Sequence, residues 1–376
     1  MKILQLGKHY PFHYGGIEKF YFDLAIELNQ QNIECDIFCA NENKYNKIFY
    51  EDNVKVISFG RFAFKASTSL SYKVFFELKK IINQYDVLHV HLPDPMIVVA
   101  LFVLRPKQPI ILHWHSDIVK QKKLKKLFLP FQNWILHRAN KIIATSPNYI
   151  KSSEDLQDVK SKCIAIPSGL NPNRLVVNDK RLEELENEYK GKKIIYFFGR
   201  MAEYKGVEYL IQSVQYFSNH YHFIISGGGD TVKYKKMVKQ MNIEDKVTFT
   251  GRIENEEVGA YYKLCDLFVL PSITRNEAFG LVQCEAMFFG KPVVSTNIEG
   301  SGVSYVNKNE ETGLIVPIKD SKAIYEACKK IMDNKELYKQ FSDNVKLRFD
   351  KMFHINSIAK EITKIYKEII KDDNKN

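Results

Sequence analysis

The sequence predicts an α/β protein built as two doubly wound domains in succession. Strand-like apolar runs alternate with amphipathic stretches along almost the whole chain, the pattern of parallel sheets covered by helices. The alternation comes in two series, one over residues 2–166 and one over residues 193–316. The length, 376 residues, suits about two domains at roughly 150 residues each.

In the first series the predicted strands are Lys2 to Leu6, Glu34 to Ala40, Val54 to Ser58, Val87 to His91, Ile110 to His115, Lys141 to Thr145 and Cys163 to Ile166. Gly16 to Leu28 and Tyr72 to Ile82 show helical spacing between them. The second series runs Lys193 to Phe198, His222 to Ser226, Val247 to Gly251, Leu267 to Pro271, Pro292 to Thr296 and Gly313 to Val316. Pro167-Ser168-Gly169-Leu170-Asn171-Pro172 and the charged helical stretch Arg181 to Lys190 mark the linker. The expected domains are therefore 1–170 and 171–350, with 351–376 holding a last helix and a polar tail. That helix is apolar at Ile355, Ile358, Ala359, Ile362, Ile365, Tyr366 and Ile369, one face at 3.6 residues per turn.

Composition excludes several classes. With 45% hydrophobic and 26% charged residues the chain is neither disordered nor collagen-like. Its longest apolar run, Met96 to Leu104, has nine residues, about half of the roughly 20 that span a bilayer. The opening Met1-Lys2-Ile3-Leu4-Gln5-Leu6-Gly7 reads as a strand rather than a signal peptide, so a cytoplasmic protein is expected. Six cysteines lack zinc or disulfide spacing and are expected as reduced core filler.

Charge is unevenly placed. Residues 1–170 hold 23 Lys and Arg against 15 Asp and Glu, a net +8 of the chain's +11. Much of it is Lys120, Lys122, Lys123, Lys125 and Lys126, followed by Leu127-Phe128-Leu129. Cations beside apolar residues suit an anionic membrane face, where each Lys contributes about 1 kcal/mol; the alternative is a solvated helix face. No nucleic-acid motif is present, and no nucleic-acid partner is expected.

In doubly wound domains ligands bind at the carboxyl ends of the strands, and two such domains are expected to face a cleft. Gly15-Gly16 follows the first strand at a helix mouth, where backbone amides can meet an anion; a plain tight turn would look the same. In the second series Phe198 runs into Gly199-Arg200-Met201-Ala202-Glu203-Tyr204-Lys205-Gly206, which brings two cations to one strand-to-helix turn, as a pyrophosphate requires. Gly227-Gly228-Gly229-Asp230 misses the Gly-x-Gly-x-x-Gly spacing and reads as a loop whose backbone approaches a ligand closely.

The most specific segment is Pro271 to Met287. Glu277 is expected in a loop, Ala278-Phe279-Gly280-Leu281 to open a helix with free N–H groups, and Glu285 to lie deeper on that helix. Two such carboxylates can accept hydrogen bonds from two separate sets of hydroxyls while the amides hold phosphate. A carboxylate on an apolar helix needs a partner, and a sugar nucleotide would supply one. In the first series Leu88-His89-Val90-His91 and Leu112-His113-Trp114-His115 put four histidines on strand faces, with His115 at a carboxyl end. No Asp-x-Asp pair exists and no Asp or Cys companions stand at ligand spacing, so neither a metal nor another cofactor is expected.

Together these features resemble the retaining glycosyltransferases of family 4, which have the GT-B fold of two Rossmann-like domains facing a cleft. The resemblance covers nearly the full chain and is strongest over Glu277 to Glu285. It implies that Arg200 and Lys205 bind the donor pyrophosphate, Glu277 the hydroxyls of the donor sugar, Glu285 the ribose, and the amides of Phe279, Gly280 and Leu281 the distal phosphate. Gly16 would join the donor site, and His115 matches the family's active-site histidine beside the donor sugar. The last helix would return to the first domain. The stretch His115-Ser116-Asp117-Ile118-Val119 is similar to that of bacterial surface-polysaccharide mannosyltransferases. The implied partners are a nucleotide diphosphate sugar, such as GDP-mannose or a UDP-hexose, and a glycan or lipid-linked acceptor. An epimerase or phosphorylase on the same scaffold, or a non-catalytic sugar-nucleotide binder, would differ in leaving no labelled sugar on a larger acceptor.

Overall fold

By its contacts the chain divides into two units, Met1–Gly169 with Ile355–Asn376, and Leu170–His354. The computed structural model describes residues 1–9, 15–65, 68–118 and 122–373; the side chains of Lys122 and Lys123 lie outside that description, as does all of Lys120.

The first unit contains β1 (Lys2–His9), α1 (Gly16–Gln30), β2 (Glu34–Ala40), β3 (Lys47–Glu51), β4 (Val54–Phe59), β5 (Ala63–Lys65), β6 (Thr68–Leu70), α2 (Lys73–Ile81), β7 (Val87–Leu92), α3 (Pro95–Leu104), β8 (Ile110–Trp114), α4 (Lys122–Arg138), β9 (Lys141–Ala144), α5 (Pro147–Ser152) and β10 (Cys163–Ala165). Its sheet has the order β10-β9-β8-β7-β1-β2-β4-β3, parallel throughout except for β3 against β4. The central strands are buried on both faces, which is why they read as unbroken apolar runs. Local chemistry starts the helices: the Asp94 carboxylate accepts the N–H groups of Met96 and Ile97, with Pro95 at the first helical position of α3.

Two elements depart from the sequence expectation. β3 adds an antiparallel edge strand with Ile48 and Tyr50 exposed. Residues 61–71, where no strand was predicted, include the short hairpin β5–β6.

The second unit contains α6 (Asp179–Glu188), β11 (Lys193–Phe198), α7 (Val207–Ser213), β12 (Tyr221–Ser226), α8 (Val232–Gln240), β13 (Val247–Gly251), α9 (Asn255–Leu264), β14 (Leu267–Leu270), α10 (Val282–Phe288), β15 (Val293–Thr296), α11 (Val303–Val306), β16 (Gly313–Val316), α12 (Ser321–Met332) and α13 (Lys335–Met352). Its six strands are all parallel, in the order β13-β12-β11-β14-β15-β16.

The chain then returns to the first unit as α14 (Ile355–Asp373). Its buried stripe, Ile355, Ile358, Ala359, Ile362, Ile365, Tyr366 and Ile369, joins the core formed with α1 and β2. Each buried isoleucine contributes on the order of 1.5–3 kcal/mol.

Candidate active site

In the second sheet the strand order reverses between β11 and β14, and the carboxyl ends of strands at such a switch point are where open α/β sheets bind ligands. The loops leaving β11, β12 and β14 meet there because glycine lets backbones touch. A Cβ on Gly227, at φ +133°, would lie 1.9 Å from the Gly199 carbonyl oxygen. One on Gly206, at φ +63°, would lie 2.2 Å from the Pro271 carbonyl oxygen. Backbone hydrogen bonds from Met201 to Gly228 (2.9 Å) and from Ile273 to Tyr204 (2.8 Å) tie the three loops together.

This brings Lys205 to Glu277, 72 positions later in the chain. The Lys205 ammonium lies 2.5 Å from Glu277 Oε2, and both side chains are buried. Ser272 donates to the same carboxylate oxygen at 3.0 Å. The loop is fixed from beneath by Ser301, which donates to the Glu277 carbonyl, and by Thr296, which donates to the Ser272 carbonyl. Lys205 is therefore held by a carboxylate rather than standing alone. Arg200 is exposed, its guanidinium 3.3 Å from the Tyr204 hydroxyl.

The helix α10 begins at Val282, later than Ala278–Leu281, which instead form the turn before it. Gly280, at φ +78°, makes that turn. Phe279 is buried in the core of the unit, against Phe353. It can therefore offer a ligand only its backbone. The N–H groups of Phe279, Gly280 and Leu281 donate to no acceptor among the described residues.

Glu285 consequently lies in the first turn of α10 rather than deep within it. It is half-buried, and a protein group serves it: the Tyr262 hydroxyl donates to its Oε2 at 2.7 Å. Burial first, and then the Glu285 carboxylate, push the Tyr262 hydroxyl well above its ordinary pKa, so it stays a donor. Tyr262, Ser272 and Ser301 are functional neighbours that the sequence did not single out. No spacing links Tyr262 and Ser272 to the carboxylates they hold, or Ser301 to the Glu277 carbonyl.

In the first unit His115 directly follows β8 and is buried. Its Nε2 lies 2.9 Å from His91 Nδ1, and burial lowers its pKa to about 3, so the ring is neutral at physiological pH. His89, His91, His113 and His115 form one stack on the sheet, with His91 opposite His113 in register. One nitrogen from each of His89, His91 and His113 lies within 4.8 Å of the others, the one metal-capable group among the described residues.

Gly16 opens α1 and is exposed; Gly15 caps the helix without a side-chain hydrogen bond. Glu18, one turn in, is buried, and desolvation raises its pKa. Of the basic cluster, Lys125 pairs with Asp155 at 2.7 Å and Lys126 is exposed, followed by exposed Leu127. No helix among the described residues is long and apolar enough to cross a membrane.

Comparisons with known proteins agree with this geometry. Residues 14–174 match the family model "Glycosyltransferase Family 4", and residues 178–348 match "Glycosyl transferases group 1". The chain is 31% identical to O-antigen chain mannosyltransferase C of Escherichia coli, over 98% of this chain and 99% of that protein. It is 28% identical to the D-rhamnosyltransferase WbpZ of Pseudomonas aeruginosa, over 94% and 92% of the two chains. In fold it is similar to a sucrose-phosphate synthase from Thermosynechococcus elongatus, with TM-score 0.79, 21% identity and 99% of both chains covered. It is also similar to Anabaena HepE, solved with UDP and glucose, with TM-score 0.76, 18% identity, and 98% and 99% of the chains covered. With sequence likeness along its whole length and two parallel-sheet units to match, the chain belongs to the family 4 glycosyltransferases of GT-B fold.

Proposed function

We propose that the protein transfers a hexose, with retention of configuration and without a metal ion, from a nucleotide diphosphate sugar to a glycan or lipid-linked acceptor of a surface polysaccharide. The observation that carries this is the buried Lys205–Glu277 pair beside the unengaged amides of residues 279–281, at the switch point of the second sheet. The second unit would hold the donor and the first the acceptor. GDP-mannose or a UDP-hexose is the donor class, and the likeness to an O-antigen mannosyltransferase favours mannose.

The chemistry follows from where charge develops. As the bond between the sugar anomeric carbon and the phosphate oxygen breaks, negative charge grows on the pyrophosphate. Arg200, Lys205 and the amides of Phe279, Gly280 and Leu281 are fixed donors for it and stabilise the transition state. Glu277, already oriented by Lys205 and Ser272, accepts from the sugar hydroxyls; Glu285, oriented by Tyr262, accepts from the ribose. The acceptor oxygen attacks from the side the phosphate leaves, and its proton passes to the departing phosphate oxygen. Burial keeps His115 neutral, so it would meet a sugar hydroxyl as a hydrogen-bonding group rather than as a cation.

The basic, apolar start of α4 would dock the protein on the inner, anionic face of the cell membrane, where such an acceptor is held. The test is to incubate the protein with radiolabelled GDP-mannose or UDP-hexoses and extracted lipid-linked acceptors, then read the new anomeric linkage by NMR. Labelled product with the donor's configuration supports the reading. Donor hydrolysis or epimerisation without transfer, or an inverted linkage, refutes it.

A further inference from the structure

Of the four stacked histidines only His115 enters the reading above, and the hydrogen bonds that link it through His91 to Gln5 give its ring a direction. Gln5 on β1 stands opposite His89 in register, so its amide reaches the neighbouring histidine face. Gln5 Oε1 lies 2.5 Å from His91 Nε2, and His91 Nδ1 lies 2.9 Å from His115 Nε2. All three side chains are at most 4% exposed, so water does not compete for these contacts.

We propose that Gln5 and His91 are positioning residues that hold His115 in a single tautomer, with the proton on Nε2 and a bare Nδ1 available to a sugar hydroxyl. The logic is one of donors and acceptors. An amide oxygen only accepts, so His91 carries its proton on Nε2. A neutral ring with that proton has a lone pair on Nδ1, which accepts from His115 Nε2–H. His115 then has no proton on Nδ1, and that atom takes no partner among the described residues. A second proton on His91 would undo this, and burial among three other imidazoles disfavours it. The result is an acceptor fixed before the ligand arrives, needing no ring flip or proton shift on binding.

A divalent ion on His89, His91 and His113 is the competing use of the cluster. His91 has both ring nitrogens engaged already, by Gln5 and His115. No carboxylate or thiolate joins the three histidines among the described residues, so an ion's charge would stand uncompensated in a fully buried place. His113 stacks on His115 at 4.3 Å, yet neither of its nitrogens has a hydrogen-bond partner. It is the internal control, inside the stack and outside the relay.

The role of His115 beside the sugar rests on the glycosyl-transfer reading; its tautomer does not. The test is therefore in two parts. Full-length protein labelled with ¹⁵N-histidine, without substrate, shows the protonation of each ring nitrogen, with His115 assigned by comparison with His115→Asn. We expect His115 protonated on Nε2 alone, a mixture of tautomers in Gln5→Leu and His91→Phe, and the wild-type pattern in His113→Phe. In transfer assays Gln5→Leu should lower kcat about tenfold or more at unchanged donor KM, and Gln5→Glu, which keeps an acceptor facing His91, should recover most of it. A proton on His115 Nδ1 in the wild type, or an unchanged tautomer in Gln5→Leu, overturns the proposal. So does a scrambled tautomer with unchanged kcat, and so does stoichiometric zinc that shifts the His91 resonances. Absence of transfer in every variant with the tautomers as expected refutes the glycosyl-transfer reading instead.

Discussion

Lowering the pH should unfold the first unit well before the second, because its histidine stack is kept neutral by burial. Desolvation lowers the pKa of His89 and His115 to about 3 and of His91 and His113 well below the ordinary value. In the unfolded chain these groups titrate near 6.5. Their neutral folded form contributes stability that is fully present above about pH 6.5 and is lost as the pH falls towards 3, because only the unfolded state gains the protons. Between pH 7.5 and 5.5 each such histidine costs about 1.4 kcal/mol, roughly 5 kcal/mol for four, against a total stability of order 5–15 kcal/mol. Glu18 and Asp94, buried carboxyls whose pKa burial raises, offset part of this by taking up protons in the folded state. The chain's two tryptophans, Trp114 and Trp134, both lie in the first unit, so their fluorescence during urea unfolding follows that unit alone. His113→Phe should shrink the difference in unfolding free energy between the two pH values by about 1.4 kcal/mol, the share of one histidine. An equal pH dependence in wild type and variant would refute the reasoning.

Other expectations concern the donor site and the surface. Glu285→Ala should weaken nucleotide binding by about 1.5–3 kcal/mol in calorimetry, while Glu277→Ala should mainly lower turnover; nucleotide affinity indifferent to Glu285→Ala removes that assignment. Activity should persist in excess EDTA, and Arg200→Ala should lower it by at least about tenfold, or 1.4 kcal/mol; full loss on chelation, restored by manganese, contradicts metal independence. Lys205→Met should lower activity and also destabilise the second unit by about 3–5 kcal/mol, because it strands Glu277 as a buried charge, and Glu277→Gln in the same chain should recover much of that stability in thermal unfolding. Replacing Lys120, Lys122, Lys123, Lys125 and Lys126 with Gln should move the protein from vesicle-bound to soluble fractions at low salt and leave activity on a short soluble acceptor nearly intact. Equal partition of the two proteins would return the cluster to a solvated helix face.

Much of the sheet architecture was legible because parallel strands buried on both faces leave a direct mark: Lys193–Phe198, Leu267–Leu270 and Gly313–Val316 are continuous apolar or small-residue runs bounded by polar, glycine or proline positions. The edge strand Lys47–Glu51 left no such mark, since Ile48 and Tyr50 face solvent and charged residues close both ends. The start of α10 was misplaced because Phe279 and Leu281 continue the apolar pattern of the helix, whereas the positive φ of Gly280 belongs to a turn. At the site the residue types could be read from their neighbours along the chain. Their partnerships could not: Lys205 with Glu277 is made by two loops, and Tyr262 with Glu285 by the helices α9 and α10, that only the fold brings together.

The return of α14 to the first unit bears on how the protein is made. Synthesis is vectorial, and ordinarily the N-terminal domain folds first. Here the residues that cover one face of the first sheet, from Ile355 to Ile369, are translated only after Leu170–His354 is complete. The second unit can thus close on the nascent chain while the first still exposes the apolar surface of Phe20, Leu24 and Val87. That interval is where chaperone capture or aggregation would fall. A chain cut short before Ile355 would leave uncovered a sheet whose strands were translated long before the cut.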